Sequence, residues 1–109
     1  MNDIKITLTH EQALSFLPII EADVNKQTSN MEQFIYKSLL TEIYVLLLKK
    51  TLFHYDGEKN YKLSPALGAA WYMWFNELRT KTNNGYMLAT ASMATLEIGK
   101  QIINLPNGK

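Results

Sequence analysis

Met31-Glu-Gln-Phe-Ile-Tyr-Lys-Ser-Leu-Leu-Thr-Glu-Ile-Tyr-Val-Leu-Leu-Leu-Lys-Lys-Thr-Leu-Phe53 contains neither Gly nor Pro. At 1.5 Å rise per residue it predicts a helix roughly 34 Å long, about the width of a small domain. Ile35, Leu39, Ile43 and Leu47 fill one i, i+4 row, and Tyr36, Leu40, Tyr44 and Leu48 fill the next. Val45 and Leu46 carry the apolar surface further round, leaving a thin polar strip of Lys37, Ser38, Thr41, Glu42 and Lys49. A helix apolar on so many sides needs cover from the rest of the chain or from another copy of it. The expected architecture is mainly α: a compact four-helix domain around one long central helix, with a minor two- or three-stranded β element.

Outward from that segment the local signals are clear. On its N-terminal side, Ile4, Ile6 and Leu8 alternate with Lys5 and Thr7, the period of a half-buried strand. Thr9 follows as an N-cap, with Gln12 three residues later completing a capping box. A helix is predicted from His10 to about Val24, with Ala13, Leu14, Leu17, Ile20 and Val24 inward and Pro18 kinking or dividing it. Residues 25–30 are polar turn formers and read as a connection.

On the C-terminal side, Asp56-Gly57 favours a tight turn and suggests a small hairpin ending in Tyr61 and Leu63. Ser64-Pro65 is a helix start, because Ser caps and Pro takes the first helical position, where its missing N–H costs nothing. That helix runs to about Thr80, with Leu67, Trp71, Trp74, Phe75 and Leu78 as its stripe. After a turn at 81–85, residues 86–105 favour a helix, although the alternation of Leu88, Thr90 and Ser92 also fits a strand. Pro106 to Lys109 reads as a frayed tail.

Strand, helix and long helix thus occur twice, at a constant offset of 55 residues: Leu8-Thr9 falls on Leu63-Ser64, Phe16 on Trp71, Ile43 on Ile98 and Leu47 on Ile102. Such an internal duplication would pair Ile4–Leu8 with 60–63. Capping chemistry alone also makes strand-helix junctions look alike.

One hundred and nine residues suit a single domain, 1–109, able to bury about two thirds of its unfolded surface. Cysteine is absent, which excludes disulfides and thiolate metal sites and fits a cytoplasmic location. Asp3 and Lys5 flank only a short alternation, unlike the apolar core of a signal peptide. The apolar run 66–75 is too short to span a bilayer, so no membrane association is expected.

The net charge of +1, with Arg79 the sole arginine, is a poor supply for sequence-specific DNA reading. Residues 1–33 hold five acids and two bases, and residues 34–109 five acids and nine bases, an asymmetry able to guide contacts between copies.

Catalytic, cofactor and metal sites are not expected. His10-Glu11 starts like a zinc-protease helix, but Leu14 stands where the second His belongs. His10 reads as a solvated first-turn residue, and His54 is the only other histidine. Asp56 and Glu58 beside His54 are the nearest approach to an acid/base set, and turn acids are ordinarily solvated. Lys49, Lys50, Tyr55, Lys59, Tyr61 and Lys62 interleave cations with rings, a pattern able to hold a single nucleic-acid strand by phosphate contact and stacking. Trp71 to Phe75 puts four rings in five residues, more than one helix face can hold, so Tyr72 and Met73 should point to an interface. Tyr36 and Tyr44 on the long helix are further interface candidates.

The expected function is therefore a non-enzymatic interaction or assembly subunit, self-associating or binding a protein partner. Size and composition are those of accessory or structural proteins of phages and mobile elements, an analogy without motif support. The alternative is a nucleic-acid accessory protein using the 49–62 cluster.

Overall fold

The computed structural model describes residues 3–103. The order is β1 (Ile4–Thr9), α1 (His10–Val24), α2 (Met31–Thr51), β2 (Glu58–Leu63), α3 (Pro65–Lys81) and α4 (Gly85–Ile103), and the chain is mainly helical. β1 and β2 form a two-stranded antiparallel sheet. Two compact units result, each drawing on part of both strands.

Among the described residues, the first unit joins 3–6 to 60–103, with α3 and α4 packed on each other. Ile4 and Ile6 of β1, with Tyr61 and Leu63 of β2, are buried on the alternating face their period predicts. Ser64 Oγ accepts the Leu67 N–H and starts α3, with Pro65 in its first turn. Trp71, Trp74, Phe75 and Leu78 are buried as expected; Leu67 is only half-buried, and Gly68 and Ala70 complete the inner face. Trp71 stacks on Phe75 at 5.0 Å and meets Tyr61 edge-on at 6.3 Å. The buried Trp71 Nε1–H has no acceptor among the described residues, a cost this aromatic packing has to offset.

Residues 85–103 are helical, which removes the strand alternative for that part of 86–105; residues 104–109, including the tail, lie outside the described residues. The threonines that suggested a strand are accommodated inside the helix. Thr90 Oγ1 donates to Tyr86 O at 2.9 Å and Thr95 Oγ1 to Ala91 O at 2.7 Å, so both hydroxyls are satisfied within their own backbone. Asn84 Oδ1 accepts the N–H groups of Tyr86 and Met87 and fixes the helix start. Gln101 reaches back to Lys5, accepting its N–H and donating to its carbonyl.

The second unit, residues 7–59, packs α1 on α2. Its capping box forms as the sequence requires: Thr9 Oγ1 accepts Gln12 N–H at 3.1 Å, and Gln12 Oε1 accepts Thr9 N–H at 2.9 Å. Pro18 does not divide α1. The ring lies on an exposed position, where the hydrogen bond it removes can be replaced by solvent. The buried row is Ala13, Phe16 and Ile20; Leu17 and Val24 are half-buried and Leu14 is exposed, because the larger Phe16 takes the inward position.

Among the described residues, the expected sheathing of the long helix is not found. α2 buries one stripe only, Leu40, Ile43, Leu47 and Thr51, and is capped at Leu52. Of the two apolar rows, Ile35 and Leu48 are exposed, and Tyr36, Leu39 and Tyr44 are half-buried. Beyond α2, the Asp56-Gly57 turn leads into β2, with Gly57 at φ +71°, a conformation L side chains rarely adopt. The strand that β2 pairs with is β1, so the local hairpin expected within 54–63 does not form. Residues 54 and 55 are extended by no ladder, and the buried alternation of β1 offers the better partner.

Gly68 allows α3 to approach β1. A Cβ there would sit 2.7 Å from Ile4 Cγ1 and 2.9 Å from Ile4 Cβ, and Ile4 is fully buried. Gly68→Ala is expected to destabilise the protein by about 1–3 kcal/mol through overpacking, despite the better helix propensity of Ala. Gly85→Ala, which would meet nothing within 4 Å, should be neutral or stabilising in the same thermal and urea unfolding measurements.

Candidate functional site: the histidine pair and the outer face of α2

Two features of residues 7–59 stand out. The first lies where the start of α1 meets the segment after α2. Thr9 as N-cap fixes His10 in the first helical turn, half-buried, and His10 Nε2 contacts the Thr51 carbonyl at 3.2 Å. His54 Nδ1 lies 3.2 Å from His10 Nδ1, and His54 Nε2 lies 3.2 Å from Asp56 Oδ1. The rings meet edge to face with centroids 4.8 Å apart. His10 is therefore bonded into the unit and is not simply solvated.

A carbonyl and a carboxylate only accept, so the Nε2 atoms of both histidines must carry the donated protons. In two neutral rings, both Nδ1 atoms then present lone pairs to each other. Asp56 is fully exposed and His54 largely so, which leaves the His54–Asp56 contact open to solvent screening.

Tyr55 packs beside the pair. Its ring meets His10 edge-on at 5.0 Å, its Oη donates to the Leu8 carbonyl at 3.1 Å, and Lys59 Nζ lies 4.6 Å from its centroid. Tyr61 is fully buried against Trp71 and offers no ring face to a base. Of the 49–62 set, Lys49, Lys59 and Lys62 are exposed and Lys50 is half-buried. The cations remain on the surface, but the stacking component of that cluster is taken up by internal packing.

The second feature is the outer face of α2. Met31, Phe34, Ser38, Thr41, Val45, Leu48 and Leu52 follow one another at spacings of three and four, about half a turn round from the buried stripe. The five apolar members are 69, 56, 41, 42 and 73% exposed in that order. Ser38 Oγ donates to Phe34 O at 2.9 Å and Thr41 Oγ1 to Lys37 O at 2.8 Å, so neither hydroxyl depends on water for its donated bond. The row follows the a/d spacing of a heptad repeat, a pattern distinct from the two i, i+4 rows. Lys37 and Glu42 flank it.

Among the interface candidates, Met73 is exposed, while Tyr36, Tyr44 and Tyr72 are half-buried. Tyr72 is held against α4, its Cε1 3.2 Å from where a Cβ on Gly99 would stand. Among the described residues, no three His, Cys, Asp or Glu side chains form a metal-holding group, and no helix is long and apolar enough to cross a membrane. No protein-family profile matches the chain, and no curated protein or solved structure matches it.

Tyr55→Phe, which removes the donor to Leu8 O, is expected to cost about 0.5–1.5 kcal/mol in urea unfolding. The crosspeaks of His10 and His54 should shift in the NMR spectrum of that variant, because the Tyr55 ring lies edge-on to His10.

Proposed function

We propose that the protein is a non-enzymatic assembly subunit that pairs with a second copy of itself through the outer face of α2. The observation that supports this reading is the heptad row Met31, Phe34, Ser38, Thr41, Val45, Leu48, Leu52, apolar at five of seven positions and exposed along its length. Its two polar members are internally bonded, so burying them in a seam strands no donor. The apolar stretch that one chain leaves uncovered is then sheathed by two.

Charge favours a parallel pair. In that orientation Lys37 falls beside Glu42 of the second copy, five positions on, and the contact occurs twice by symmetry. An antiparallel pair centred on the seam sets Glu42 against its own equivalent, which is repulsive.

The proposal extends to the chain's origin: two copies of a strand-helix-helix unit. Support comes from Thr9 and Ser64, both N-caps, and from the pairs Ala13 and Gly68, Phe16 and Trp71, Ile20 and Phe75, Ile43 and Ile98, each 55 residues apart and buried in both members.

Light scattering across a concentration series should give twice the chain mass, with Val45→Glu and Leu48→Glu reducing it to the chain mass while circular dichroism stays helical. Lys37→Glu should weaken the pair and Lys37→Glu with Glu42→Lys should restore it. A wild-type chain that stays monomeric at several hundred micromolar would overturn the reading.

A further inference from the structure

We infer that His10 and His54 form a binding site for a divalent transition-metal ion, held by their two Nδ1 atoms. The argument is geometric. Imidazoles that ligate a metal through one nitrogen ordinarily donate the other N–H to a carbonyl or carboxylate, which fixes the tautomer and aims the lone pair. Both histidines have that partner: Thr51 O for His10 and Asp56 Oδ1 for His54. The two remaining nitrogens face each other at 3.2 Å. Nitrogens so separated, each about 2.05 Å from one ion, subtend about 103° at it, between square-planar and tetrahedral angles.

Ring placement is compatible with such an ion. Rings meeting head-on across that gap would hold their centroids about 5.5 Å apart, whereas rings converging on a shared ion hold them about 5.0 Å apart. The observed separation is 4.8 Å. At least one ring is therefore tilted from the N–N line, as convergence on a shared ion requires.

Two nitrogens make an open site, with water in the other positions. The donor set suits Zn²⁺, Ni²⁺ and Cu²⁺, with Cu²⁺ bound most tightly, and does not suit Mg²⁺ or Ca²⁺, which require oxygen. The ion is held by both rings as neutral imidazoles, each keeping its Nε2–H on Thr51 O or Asp56 Oδ1. Binding ties the first turn of α1 to the segment after α2 through these two side chains.

The test is titration of the full chain, free of any affinity tag, with ZnCl₂ and separately CuCl₂, followed by calorimetry and by the imidazole carbon-bound proton signals. One equivalent should bind, Cu²⁺ more tightly than Zn²⁺, with His10 and His54 signals shifting together and the melting temperature rising. His54→Ala, an exposed position, and His10→Ala should each lower the affinity at least tenfold, and MgCl₂ should leave the spectrum unchanged. Absence of Zn²⁺ and Cu²⁺ binding at millimolar ion, or binding that persists undiminished in His54→Ala, would overturn the assignment and place any bound ion on surface carboxylates.

Discussion

A helix packed against one neighbour can bury one stripe, and α2 carries more apolar surface than one stripe can hold. Leu40, Ile43 and Leu47 take the buried positions beside α1, together with Thr51, whose hydroxyl donates to Leu47 O at 2.6 Å. Every other large apolar side chain of α2 is then left wholly or partly in water. No rearrangement of a two-helix pair removes this, because turning α2 to bury Phe34 and Val45 would expose Ile43 and Leu47 on the other side. The excess is a constraint on the unit that packing against α1 alone does not relieve.

What the sequence made legible was local. Caps depend on one side chain and the backbone within three residues, so Thr9 with Gln12, Ser64 and the turn at Asp56-Gly57 could be read directly. The inner face of α3 was also legible, because Trp71, Trp74, Phe75 and Leu78 leave no competing stripe. Where two faces were both apolar, as on α2, the pattern could show excess but not which row a partner would cover.

Side-chain roles failed wherever tertiary context decided them. Tyr61 looked like a stacking ring because its neighbours Lys59 and Lys62 are cationic; strand alternation turns it inward while they point out. The helix favoured for 86–105 is present over its described part, and the competing strand pattern through Thr90 gives way to that residue's bond to the preceding turn. The histidine pair was invisible for a different reason. His10 and His54 stand 44 residues apart, and only the return of the chain at the end of α2 sets one beside the other.

The two halves of the chain differ at the positions that matter. Fifty-five residues on from His10 stands Pro65, which has no imidazole to offer; the counterparts of Phe34 and Val45 are Ala89 and Lys100, while those of Met31, Ser38 and Thr41 are Tyr86, Met93 and Leu96, themselves exposed. The buried positions behave otherwise: Phe16 and Trp71, or Ile43 and Ile98, stay apolar and buried in both halves. Packing needs are shared, since each helix pair must fill a core, but the outer row of α2 and the histidine pair serve no packing need. If the halves do share an origin, the core of each was kept while the surface of residues 7–59 diverged. Of the two surface features, the histidine pair has no equivalent 55 residues on, whereas the outer row is replaced only in part. Both of them fall within residues 7–59, on α2 and at the junction just beyond its end.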